Sequence, residues 1–184
     1  MKPALLTTFA LTLLALSLPA ADAPKKPVLL YSRYFNAIGE TRYQPDGNYK
    51  EVLTRLRGEF TVRIHAESLT AKTLAGVQAV LISNPSDKAA GPNPPPHHFA
   101  APDIAALTKF VQSGGGLILM SNQENHNLEV PHFNALLAKF GLQLADRHTD
   151  IKLLPLPKEI PVIGGLNWLY YAGDQVVLTA GHPA

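Results

Sequence analysis

Apolar residues along this chain follow two alternating patterns. Short, largely apolar runs at Val28–Tyr31, Val77–Ser83 and Leu117–Met120 read as strands buried on both faces. Phe60–Ile64 alternates as a strand. Between these runs, apolar residues recur at helical spacing: Tyr49, Val52, Leu53 and Leu56; Ile104, Leu107, Phe110 and Val111; Phe133, Leu136, Leu137 and Phe140. Asp46 or Asn48 is placed to cap the first helix and Gly58 to end it. Pro102 and Pro131 suit first helical turns. Gly114-Gly115-Gly116 makes the tight turn after the second helix, and Gly141 caps the third. Ser68–Leu74 reads as a helical turn and Leu142–Leu144 as a short strand. Strands that alternate with helices and need cover on both faces predict an α/β fold, a doubly wound, mostly parallel sheet flanked by helices. Ligands of such sheets bind beyond the carboxyl ends of strands. That rule selects the loops Ser32–Thr41, Asn84–Ala100 and Ser121–Val130, and the segment after Leu144.

The N-terminus departs from this alternation. Met1-Lys2-Pro3 precedes an apolar run from Ala4 to Leu18, followed by Pro19-Ala20-Ala21-Asp22-Ala23. A basic start, an apolar stretch and small residues with A-x-A spacing form a secretory signal peptide. Cleavage after Ala20, Ala21 or Ala23 is expected, because the run falls short of the roughly 20 residues of a spanning helix. The chain is therefore read as residues 1–23 of signal followed by one domain over 24–184, exported to the periplasm or beyond, with no membrane span after cleavage.

Composition narrows the chemistry. Sixteen Lys and Arg against 14 Asp and Glu leave +2, too little to argue for nucleic acid or an anionic membrane. The chain has no cysteine, which removes disulfides, thiolate metal sites and a cysteine nucleophile. Beyond Leu144 the pattern weakens: Asp150–Pro157 reads as loop, Gln175–Thr179 as a strand, and Gly181-His182-Pro183 closes the sequence.

The stretch from Ile104 to Leu144 carries a recognisable arrangement: a helix ending in valine, Gly114-Gly115-Gly116, the strand Leu117–Met120, a polar loop, then Asn134-Ala135-Leu136-Leu137 and Phe140-Gly141-Leu142. It resembles the class I glutamine-amidotransferase-like superfamily, over roughly Val28 to Leu144. Within the superfamily it is most similar to non-catalytic branches: the GIFT-type domain of intraflagellar transport proteins, bacterial gliding-associated proteins and related exported domains. Trehalose-utilisation-like proteins are a neighbouring branch. Catalytic members carry G-x-C-x-G at the elbow after this strand; here Ser121-Asn122-Gln123 follows it, so glutamine hydrolysis by that mechanism is excluded. In similar proteins a strand followed by His-Pro leads into further fold. The resemblance therefore implies that His182 stands near the ligand cleft and that the domain continues beyond this sequence.

The candidate site follows from these loops. Asn122, Gln123, Glu124, Asn125 and His126 form a loop dense in amides, whose paired donors and acceptors suit sugar hydroxyls without charge. Tyr34 and Asn36 follow the first strand, an aromatic and an amide suited to stacking on and bonding a ring. Asn84, Asn134 and His182 complete the ligand-binding set. No residue is assigned to catalysis. His97 and His98, with His126, His132, Glu124 and Glu129, have the composition of a zinc site, but no metal-binding spacing joins them, and neither metal nor cofactor is assigned. The reading is an exported, non-catalytic binding module for carbohydrate or a cell-envelope partner. The alternative is a hydrolase on the same fold using Ser121 or a histidine-held metal.

Overall fold

The computed structural model describes residues 25–122, 127–157 and 166–179. Its centre is a parallel sheet in the order β2-β1-β3-β4, with β1 at Val28–Ser32, β2 at Thr61–His65, β3 at Ala79–Ser83 and β4 at Gly116–Met120. The crossovers carry α1 (Lys50–Glu59) and α2 (Ala101–Gln112), and α3 (Pro131–Leu137) follows β4. This is the α/β sheet that the alternation predicts. The signal reading over 1–23 falls outside the described residues; no helix among those described is long and apolar enough to cross a membrane.

Each face of the sheet has its own core. Leu30, Val80 and Ile82 pack with Leu107 and Phe110 of α2 and with Phe133, Leu136 and Leu137 of α3. On the other face Leu29, Tyr31 and Leu81 pack with Tyr49, Leu56 and Phe60 around α1. Both central strands are therefore covered on both sides. The edge strand β4 differs from expectation. Its Leu117 and Leu119 join the larger core, but Ile118 and Met120 are 48% and 39% exposed, because no helix among the described residues reaches that end of the α1 face.

Other local expectations are also revised. Neither Asp46 nor Asn48 caps α1; Tyr49 holds the N-cap position without a side-chain bond. The loop's own backbone starts this helix, with Asn48 N donating to Thr41 O at 3.0 Å and Tyr49 N to Gln44 O at 3.1 Å. Asp46 is engaged elsewhere, accepting from Arg33 Nη1 at 3.1 Å. Gly58 lies inside α1, which ends when Phe60 turns extended into β2. In α2 the Asp103 carboxylate accepts from Ala100 N at 3.1 Å and from Leu69 N at 3.0 Å, so one capping residue also anchors the preceding crossover.

The region after Leu144 departs most from its reading. β5 runs from Leu142 to Pro155 and pairs antiparallel with β6 (Trp168–Leu178) in a separate two-stranded sheet. The segment read as loop over Asp150–Pro157 is thus mostly strand.

The glycine triplet performs the turn expected of it. Gly114 adopts φ +96°, a left-handed conformation that costs other residues about 1 kcal/mol or more. A Cβ on Gly115 would collide with the Phe110 ring, which is itself buried in the core. Gly115→Ala is expected to destabilise the domain by about 1–3 kcal/mol, measured by urea unfolding. Gly58→Ala, in open space within α1, is expected to leave stability unchanged or raised by up to about 1 kcal/mol.

Candidate functional site

The central strands β1 and β3 end side by side, and the loops that leave them are stitched together. Ser86 N donates to Phe35 O at 2.8 Å, and Ser86 Oγ accepts from Ala37 N at 3.0 Å. Asn93 Nδ2 donates to Ile38 O at 2.9 Å and to Ala90 O at 2.7 Å. Asn36 Nδ2 donates to Ser83 O at 2.9 Å and Asn84 O at 3.0 Å. Asn84 has a φ of 43°, a left-handed conformation that asparagine tolerates better than most residues. Its Oδ1 accepts from Asn122 N at 2.7 Å, which ties in the loop after β4.

Between the β1 and β3 loops lies a cleft of about 350 Å³, lined by Arg33, Tyr34, Asn36 and Gln44 on one side and Pro94–His97 on the other. That size lies within the range of small-ligand sites. Tyr34 stacks on His97, with ring centroids 4.2 Å apart and planes 9° from parallel. One face of the Tyr34 ring is therefore already covered by the proline-rich loop.

Several buried polar atoms at this end of the sheet have no hydrogen-bond partner among the described residues. Gln44 is only 2% exposed, yet neither atom of its side-chain amide is hydrogen-bonded. Asn36 Oδ1, Asn122 Oδ1 and Ser32 Oγ are also unpartnered. Folded proteins leave few such atoms, and each costs about 1–3 kcal/mol. Gln44 and Asn36 both line the cleft, where their free donor and acceptors match the hydrogen-bonding needs of a polar ligand.

The groups beneath are neutral. The Tyr31 hydroxyl donates to Tyr43 O at 2.8 Å and pairs with Ser83 Oγ at 2.8 Å. Burial pushes the Tyr31 phenol up to about 12, against a smaller opposing effect of the Ser83 bond. Burial likewise pushes Tyr43 up to about 12; its side chain is hydrogen-bonded by Asn122.

The predicted site residues divide accordingly. Tyr34 and Asn36 line the cleft; Asn84 and Asn122 do not line it but are linked to each other, and Asn84 O accepts from Asn36. Asn134 stands apart: its amide donates to Leu144 O at 3.1 Å and accepts from Leu144 N at 2.7 Å, bracing α3 against β5. Gln123, Glu124, Asn125, His126 and His182 lie outside the described residues. Ser121 lines a different, apolar cavity of about 410 Å³ with Leu117, Leu119, Phe133 and Leu142. Sequence reasoning missed Gln44, which lies beyond the Ser32–Thr41 loop selected by the strand-end rule. Its one local signal was a place between Tyr43 and Pro45 in the same crossover.

The tyrosines set a pH dependence. Their folded-state pKa of about 12 exceeds the unfolded value of 10, so their contribution to stability is complete below pH 10 and is lost as pH rises toward 12. Unfolding free energy is expected to fall across that window by up to about 1.4 kcal/mol per pH unit for each group. Tyr31→Phe is expected to flatten the slope, as measured by denaturant unfolding at several pH values.

No family model matches the chain. It is 24% identical over 110 residues to the intraflagellar transport protein 52 homolog of Mus musculus, covering 60% of this chain and 24% of that protein. It is 22% identical over 110 residues to the Homo sapiens homolog, covering 60% and 23% respectively. The chain thus spans about a quarter of the length of these relatives. The solved mmIFT52 N-terminal domain superposes with a TM-score of 0.63 at 17% identity, over 84% of this chain and 69% of that one. The expected resemblance to the intraflagellar GIFT-type domain therefore holds at the level of fold: this chain, without a cysteine, has the α/β architecture of the intraflagellar transport protein 52 N-terminal domain, at a distance that distinguishes no bacterial branch.

Proposed function

We propose that this domain is a non-catalytic binding module whose cleft takes a neutral, hydroxyl-rich ligand, a carbohydrate unit of the cell envelope. The observation that carries this reading is the unpartnered amide of the buried Gln44, which lines the cleft between the β1 and β3 loops together with Asn36. A primary amide offers donors and an acceptor in one plane, which suits adjacent sugar hydroxyls. The tyrosines below stay uncharged through the physiological range, and Arg33 at the rim is paired with Asp46, so the floor favours a neutral ligand. Cysteine, the nucleophile of the amidotransferase-like enzymes, is absent from the chain, which supports binding over glutamine hydrolysis. The leader read over Met1–Ala23 supports an exported protein, in keeping with an envelope partner.

A glycan array probed with the purified protein tests this. Binding to neutral oligosaccharides is expected. Gln44→Leu is expected to abolish that binding while raising the melting temperature, because it removes two unsatisfied polar atoms at little cost in volume. Failure of every neutral glycan to bind, or unchanged binding by the leucine variant, would overturn the reading.

A further inference from the structure

Consecutive residues of the proline-rich loop serve different neighbours. His97 stacks on Tyr34 at the cleft. His98 instead packs against His132 at the start of α3, with ring centroids 5.1 Å apart. Beside them lies the Glu129 carboxylate, only 2% exposed. His98, Glu129 and His132 each offer one ligand atom, and these atoms lie within 4.8 Å of one another. We propose that these three residues form a binding site for a zinc-like divalent ion that fastens the proline-rich loop to α3. The site is separate from the cleft and does not rest on the reading given to it.

The geometry around the trio supports ligation. His132 Nδ1 lies 2.9 Å from Glu129 Oε1, and in the tautomer that donates there a single proton bridges imidazole and carboxylate. An ion takes that proton's place. For bonds of roughly 2.0–2.1 Å, tetrahedral ligand atoms on zinc lie about 3.3 Å apart, so this pair opens by only a few tenths of an ångström. His98 closes by about 1.5 Å at most to supply the third bond. Its Nε2 is within 3.2 Å of Asp87 O, and donation there leaves Nδ1 as the lone-pair nitrogen. A ligating histidine whose other nitrogen is held by a carbonyl is the usual outer-shell arrangement.

Glu129 is also fixed in place. Its carboxylate accepts from His132 N at 3.0 and 3.1 Å and from Phe133 N at 3.0 Å, so it is oriented before an ion arrives. On binding, Nδ1 gives up its proton and Nε2 takes one up from solvent, so His132 ligates as a neutral imidazole and the cation sits against the Glu129 carboxylate. Imidazole and carboxylate together suit zinc and its neighbours better than calcium or magnesium. Three protein ligands leave one tetrahedral position to water.

The test is zinc binding by the metal-stripped protein. One zinc per chain is expected to survive dialysis, measured by elemental analysis, with a rise in melting temperature. Cobalt in its place is expected to give the intense visible absorption of a tetrahedral site. His98→Gln with His132→Gln is expected to abolish retention, and His97→Gln to leave it intact. In the unaltered protein, the imidazole nitrogen resonances of His98 and His132 are expected to shift on zinc addition while those of His97 and His65 stay in place. This NMR measurement does not depend on the variants folding. Absence of stoichiometric zinc, equal retention by the double variant, or shifts confined to other histidines would overturn the proposal.

Discussion

The side chain of Asn36 holds together the end of the sheet on which the cleft is built. A parallel strand that stops in the middle of a sheet leaves carbonyls with no continuing neighbour, and buried carbonyls need donors. The Asn36 amide supplies them for Ser83 and Asn84. Asn84 can then turn out of β3 in a left-handed conformation and present its own carbonyl oxygen to the backbone of Asn122. The segments leaving β1, β3 and β4 are thereby fixed to one another through two asparagines. The Pro94–His97 wall follows from the same constraint, because the loop leaving Asn84 is returned to β1 by Ser86 and Asn93.

The division of labour within this loop is economical. Phe99 lies between Phe35 and Phe133, with centroids 4.1 and 5.9 Å away, and so anchors the loop in the larger core. His97 and His98, immediately before it, sit on opposite concerns: one closes the cleft against Tyr34, the other faces Glu129 and His132. An ion holding His98 would bear on the cleft wall through a single peptide unit, so the two readings are structurally adjacent although each stands on separate residues.

Much of the sheet was legible because burial on both faces leaves an unmistakable trace. Val28–Tyr31 and Val77–Ser83 have few alternatives to being central strands, and Pro102, Pro131 and Gly141 act where their backbone preferences place them. The strand-end rule also selected the loops that carry Tyr34, Asn36, Asn84 and Asn122. What escaped was whatever depends on contacts between distant segments. Gln44 owes its burial to the packing of its loop under the cleft, which no spacing announces. Glu129 and His132 are close in sequence, but His98 reaches them only through the fold. The long hairpin escaped for another reason: Leu153, Trp168 and Leu178 are exposed, so no alternation between core and solvent marks those strands, and Pro155 reads as a break. Asp46 was misread because a charged partner, Arg33, outcompetes the helix terminus for its carboxylate.

The two sheets place different demands on the order of assembly. β5 and β6 are antiparallel and joined directly, so their pairing is local and closes a short span of chain. Each pairing in the main sheet instead joins strands separated by a crossover, and β1 must find β2 on one edge and β3 on the other. Loop-closure entropy has to be met before those contacts repay it. The hairpin is thus free to form early and wait at the end of α3, whereas the cleft, built from the loops leaving β1 and β3, can take shape only once the last central strand has docked.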